Sequence, residues 1–144
     1  TFLLSDQQAP PPSEERTESP VRKSGFNGAK DDIWFRSASR DDLVRYAAAT
    51  RDFNPFHWDH DAAVGAGMPG VVVHGLFMFA WMLQAAAPQS RVLSAKVRFR
   101  NALFPSEQAT VTRQAGDDGT VKLALSREGE ALVTGVATVA AEVE

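Results

Sequence analysis

Two hydrophobic spacings divide the chain, a period of three to four residues in its first half and a period of two in its second. Residues 32–37 (DIWFRS) read as a short strand with aromatic content. A helix follows, with Ser39 at its N-cap, Asp41 and Asp42 in the first turn where negative charge suits the exposed amides, and an apolar face of Leu43, Tyr46, Ala47 and Thr50. It ends near Thr50. Residues 52–70 hold two prolines and three glycines with little periodicity, so an irregular excursion is expected there, with a short turn of helix at 59–64. Residues 71–73 lead into a second helix at 75–87, which is apolar all round and therefore expected to be covered on every side; Pro88 stops it. Beyond it the period is two. Leu93, Ala95, Val97 and Phe99 face one way and Ser94, Lys96, Arg98 and Arg100 the other, which describes a strand with one buried face. Further strands are expected at 109–114, 121–127 and 131–143, joined by turns at Gly116-Asp117-Asp118-Gly119 and Glu128-Gly129-Glu130, making a meander of four antiparallel strands. One face of such a sheet needs an apolar cover, and helix 75–87 is the one candidate of sufficient length. The expected architecture is α+β, a curved antiparallel sheet of about five strands wrapped round a central apolar helix.

Composition narrows this picture. Residues 1–30 carry half of the prolines with clustered Ser, Glu, Lys and Arg, too little apolar surface to offset their ordering entropy, so they read as a flexible tail or linker ahead of a domain at 31–144. In a longer polypeptide this segment would be the joint to an upstream domain. At 144 residues the chain supports one ordinary core. Its formal net charge of -3 leaves no basic footprint, so neither nucleic acid nor an anionic membrane is an expected partner. The longest apolar run is interrupted by His74, Gly75 and Gln84 and lies in mid-chain, unlike a membrane span or a signal peptide. Without cysteine there is no disulfide and no thiolate nucleophile or metal ligand, which suits a reducing cytoplasm.

The chemistry-bearing stretch is 46–75. Asp52 and His57 flank Asn54-Pro55, a rigid spacing able to aim a carboxylate and an imidazole at one point. Pro55 fixes its backbone angle and Asn54 is suited to hold the bend through loop amides. Asp59, His60 and Asp61 resemble a metal cluster, but no further ligands follow at a metal-site spacing, and a solvated turn accounts for them. Phe77, Phe79, Trp81 and Met82 are core before they are substrate pocket. Arg98 and Arg100 would either meet phosphates or form a solvated face. Arg51, a long cation directly before Asp52, would depress the pKa of that carboxyl, reach a phosphate, or point to solvent.

The run Asp52-Phe53-Asn54-Pro55-Phe56-His57, with His74-Gly75 downstream, resembles the hydratase 2 or MaoC-like family of hot-dog-fold enzymes, whose fingerprint is G-D-x-N-P-(L/I/V)-H followed by an H-G that opens the central helix. The resemblance covers residues 34–143 and departs at Arg51, where the family has Gly, and at Phe56, where it has a smaller aliphatic residue. It implies (R)-specific hydration of trans-2-enoyl-CoA to 3-hydroxyacyl-CoA, or the reverse dehydration, within fatty acid metabolism. Asp52 and His57 would be the catalytic dyad. Gly75 would bind substrate, its backbone amide on the thioester carbonyl, with Asn54 and His74 in the same substrate-binding set. No metal or redox cofactor is implied, coenzyme A being part of the substrate. The two alternatives are an acyl-CoA thioesterase, which usually carries a carboxylate on the central helix where 75–87 has none, and one subunit of a heteromeric hydratase. Exposed sheet edges favour pairing, as a homodimer or with another hot-dog subunit.

Overall fold

The computed structural model describes residues 31–88 and 90–141; the tail expected at 1–30 lies outside them. In order they form strand β1 (Asp31–Arg36), helix α1 (Arg40–Thr50), a 3-10 turn (Pro55–His57), helix α2 (His60–Gly65), helix α3 (Gly75–Ala86) and strands β2 (Val92–Phe99), β3 (Ala109–Ala115), β4 (Thr120–Arg127) and β5 (Glu130–Val139). Most bounds fall within a residue or so of the periodicity; β5 ends at Val139 rather than 143, and the 3-10 turn adds structure to a loop expected to be irregular.

Local chemistry explains the helix starts. Ser39 accepts a hydrogen bond from the Asp42 amide at 3.1 Å while the Asp42 carboxylate accepts one from the Ser39 amide at 2.9 Å, a reciprocal cap worth about 1 kcal/mol. The same bonds hold the Asp42 carboxyl below its ordinary range. Leu43 and Ala47 turn inward from α1, whereas Thr50, the last of the expected apolar face, is exposed and donates to the Tyr46 carbonyl. Asp59 caps α2 by accepting from the Ala62 amide at 3.1 Å, so the Asp59-His60-Asp61 cluster is a capped turn.

All five strands pair antiparallel in the order β1-β3-β4-β5-β2. This corrects the four-strand meander: β3, β4 and β5 are consecutive neighbours, but β2 lies beside β5 at the far edge. The reason is tertiary. After β2 the chain crosses the end of the sheet, where the Leu103 carbonyl accepts from Val73 at 2.8 Å and the Ala38 carbonyl from Ser106 at 2.8 Å, and so reaches the β1 side before β3 begins. Gly135 lets β2 close on β5, since a Cβ there would stand 2.7 Å from the Lys96 carbonyl oxygen. A second correction concerns the buried face of β2. A bulge between Val92 and Ser94 puts Val92 against the core and leaves Leu93 exposed, while Ala95 and Val97 pack inward as expected.

Helix α3 runs across the inner face of the sheet, and Met78, Trp81, Met82, Ala85 and Ala86 bury against Val111, Val121, Leu125 and Val133. This is the expected hot-dog arrangement. The helix is not covered on every side, however: Leu76 is 60% exposed, because one sheet covers one flank and nothing among the described residues reaches the first turn on the other.

Candidate active site

Three segments converge at the N-terminus of α3. Arg51 ends α1 with φ 61°, in the left-handed region, and this reversal delivers Asp52. The next bend is built from side-chain caps: the Asn54 side-chain oxygen accepts from the Phe56 amide at 3.2 Å, the Asp52 carboxylate accepts a long bond of 3.4 Å from the Asn54 amide, and Trp58 donates its indole N–H to the Phe53 carbonyl at 2.9 Å. Pro55 sits at the first position of the 3-10 turn, where its missing N–H costs nothing. The turn is then clamped to residues 71–74 by the Phe56 carbonyl, which accepts from Val72 at 3.0 Å, and by His57.

His57 bonds through Nδ1 to the Val72 carbonyl at 2.8 Å. A carbonyl only accepts, so Nδ1 carries the proton and the Nε2 lone pair is left open in the neutral ring. His74, 1% exposed, bonds through Nε2 to the Asp52 backbone carbonyl at 3.3 Å, which fixes the opposite tautomer. The two imidazoles stack with centroids 3.7 Å apart and planes 22° from parallel. Tyr46 packs its ring on His74 at 4.7 Å and on Phe77 at 4.6 Å, and Phe77 continues to Trp81 at 4.9 Å. Burial first, then the neighbouring His57, holds the pKa of His74 below the ordinary histidine value, against the opposing pull of Asp52. Burial and the charge of Asp52 push the Tyr46 phenol up.

One ligating atom from each of Asp52, His57 and His74 lies within 4.8 Å of the other two. No hydrogen bond joins Asp52 to His57 among the described residues, and their separation of at most 4.8 Å is within the span of two water hydrogen bonds of roughly 2.8 Å at an open angle. Two imidazoles and a carboxylate are also a ligand set for a transition metal. The stacking argues against that use: near-parallel rings send their lone pairs side by side, not to one point about 2.1 Å from each nitrogen.

Gly75 is the first residue of α3, so its amide has no intrahelical acceptor, and His74 provides no side-chain cap, unlike Ser39, Asn54 and Asp59 at the other helix starts. The ring of Phe99 covers this glycine, 3.1 Å from where a Cβ would stand.

The structure thus brings Asp52, His57, His74 and Gly75 together, and places Asn54 on the exposed outside of the bend it caps. Arg51 is exposed and makes no ion pair among the described residues, and Phe56 contributes its backbone while its ring is exposed. Arg98 lies on the outer side of the sheet, away from α3, and Arg100 is exposed beyond the strand's end, donating to Thr134 at 3.2 Å. The sequence left unread the Tyr46 ring, the Val72 carbonyl and Phe99. Their roles depend on contacts across 15 or more residues, as in the bond from His57 to Val72, for which a linear pattern carries no signal.

The sequence matches the MaoC-like domain over residues 12–141, nine-tenths of the chain. The chain belongs to the MaoC-like domain family. The match begins ahead of residue 31, inside the segment read as a tail. A curated relative, a mitochondrial 3-hydroxyacyl-[acyl-carrier-protein] dehydratase of Arabidopsis thaliana, is 30% identical over 76 residues, covering 51% of this chain and 46% of the relative. The match therefore spans just under half of that relative's length. Among solved structures, an (R)-hydratase from A. caviae involved in PHA biosynthesis superposes with a TM-score of 0.68 at 21% identity, covering 83% of this MaoC-like chain and 99% of its own. A chain of the ChsH1-ChsH2 complex from Mycobacterium tuberculosis superposes with a TM-score of 0.65 at 24% identity, covering 77% and 94%. At these identities the two likenesses establish the shared hot-dog fold.

Proposed function

We propose that this chain catalyses the (R)-specific hydration of a trans-2-enoyl-CoA to the 3-hydroxyacyl-CoA, or the reverse dehydration. The observation that carries the reading is the Asp52 carboxylate and His57 imidazole held a water's width apart, with the Nε2 lone pair of His57 left free by the bond from its Nδ1–H to Val72. In hydration, the pair binds the water and takes one of its protons as the oxygen bonds to C3. The alkene electrons move toward the thioester carbonyl, and the enolate oxygen is met by the uncapped Gly75 amide, with the helix dipole behind it. C2 then takes a proton from the acid form of the pair, so one water is added and the site regains its starting charge. The elements of water are added with no net oxidation or reduction, so no redox group is called for.

Loss of the conjugated absorbance of crotonyl-CoA or a bulkier enoyl-CoA tests this. Asp52→Asn and His57→Ala are expected to lower kcat about 10²–10⁴-fold each; full activity in both would overturn the assignment. A parallel assay with the enoyl group on acyl carrier protein is warranted by the name of the Arabidopsis relative.

A second reading, one subunit of a heteromeric hydratase, is favoured by the exposed aromatic rings of Phe53, Phe56 and Trp58 beside the site and by exposed Leu76 and Phe99 at α3. Inactivity of the pure chain, restored by a second hot-dog subunit, would select it. The thioesterase reading is weakened because α3 carries no Asp or Glu, and thiol release from an acyl-CoA would revive it. No helix among the described residues is long and apolar enough to cross a membrane, and the cysteine-free composition keeps a reducing compartment, the cytoplasm, as the proposed location.

A further inference from the structure

His74 lies where a substrate group would be expected, yet it is the one buried polar residue of the described core, and its Nδ1 has no hydrogen-bond partner. An imidazole shut away from solvent cannot meet a substrate directly. What it does touch is the proposed dyad, both halves at once: Nε2–H reaches the backbone carbonyl of Asp52, and the ring face lies against His57. We propose that His74 is a positioning residue, an uncharged imidazole that holds Asp52 by its carbonyl and gives His57 a flat surface fixing its ring plane.

The bonds determine the proton positions. His74 must carry its proton on Nε2 to donate to Asp52, and His57 must carry its proton on Nδ1 to donate to Val72. The stacked rings are therefore opposite tautomers. A second proton on His74 would sit on buried Nδ1 with no acceptor, beside a ring that itself becomes positive when it takes a proton from water. Two positive rings 3.7 Å apart repel, so buried His74, with no acceptor for a second proton, stays uncharged beside its neighbour. The ionisable groups facing His74 are His57 from the 3-10 turn, Asp52 from the loop and the Tyr46 phenol from α1; α3 carries none. Tyr46 packs on the His74 ring and Phe77 on Tyr46, so His57 is the end of a stack running to Trp81.

This inference rests on the hydratase reading for its consequence but not for its first measurement. Nitrogen NMR of the wild-type chain is expected to show His57 as the Nδ1–H form and His74 as the Nε2–H form at neutral pH. On mild acidification His74 is expected to stay neutral. A His74 that is Nδ1–H, or that charges on mild acidification, overturns the proposal whether or not the protein hydrates anything. Two variants then separate the jobs. His74→Gln keeps a donor for the Asp52 carbonyl and removes the ring; His74→Phe keeps a flat ring and removes the donor. Each is expected to lower kcat about 10–100-fold with KM within about threefold, and full kcat in either folded variant would overturn the job it removes. A histidine that merely fills the core would lower Tm and leave kcat alone, which also overturns the proposal. A wild-type chain inactive on every enoyl thioester would reject the hydratase reading while leaving the tautomer pattern to stand or fall by NMR.

Discussion

At φ 61°, Arg51 sits in a conformation that costs an L side chain about 1–2 kcal/mol, and glycine nothing. The MaoC-like fingerprint has glycine at this position, so the departure noticed in the sequence is a backbone matter: the chain must reverse at the end of α1 to present Asp52. Arg51→Gly is expected to raise stability by about 0.5–1 kcal/mol, the relief of strain less the added freedom of the unfolded chain; a lower urea midpoint for the variant would contradict this. His74 gives a pH dependence whose sign follows from its burial. Its folded pKa lies below the ordinary value of 6.5, so between the two the unfolded chain binds a proton that the folded chain does not. Stability from this group is complete above the unfolded value and falls as pH drops below it. Tm should therefore decline between pH 7.5 and 5.5, and His74→Gln should flatten the slope. Asp52, His57 and the H-G pair were legible at this scale because a fingerprint names them. The tautomers were not, since each depends on a carbonyl brought from elsewhere.

Helix α3 is the element on which the proposed chemistry turns, and its first turn offers a clean test. At the first helical position proline is tolerated, and His74, with φ -56° and ψ 134°, already has the extended backbone that precedes proline. Gly75→Pro thus deletes one N–H with little harm to the helix, whereas Gly75→Ala keeps that N–H and meets the same obstacle, the Phe99 ring, whose edge can swing aside. The expected result is a loss of about 10²–10³ in kcat for the proline variant, against less than tenfold for alanine. Equal activity would remove the amide from the mechanism. The helices and strands themselves were readable because period and caps are local: Ser39 and Asp42 sit three apart, and β3 and β4 alternate inward and outward. The place of β2 was not, because strand order is set by which edge the crossing chain can reach.

Viewed whole, the molecule leaves apolar surface on one flank. Leu76 at 60% and Phe99 at 48% exposure lie near each other at the start of α3, and β1 and β2 present open sheet edges. A second subunit across this flank would cover the helix face that the sequence expected to be buried. In a two-fold pair each change counts twice, so Leu76→Asp, losing about 1.5–3 kcal/mol per copy, is expected to weaken association at least 100-fold by sedimentation; unchanged association would place the interface elsewhere. By itself the sequence determined the elements, the inward and outward faces of most strands, and the residues able to do chemistry, because these follow from neighbours a few positions apart. Only the tertiary structure decided that β2 joins β5, that Leu76 stays open, and that His74 lies behind His57 with its proton on the nitrogen facing Asp52. Those outcomes depend on atoms 15 to 47 residues distant meeting at hydrogen-bond and van der Waals range, which no local pattern encodes.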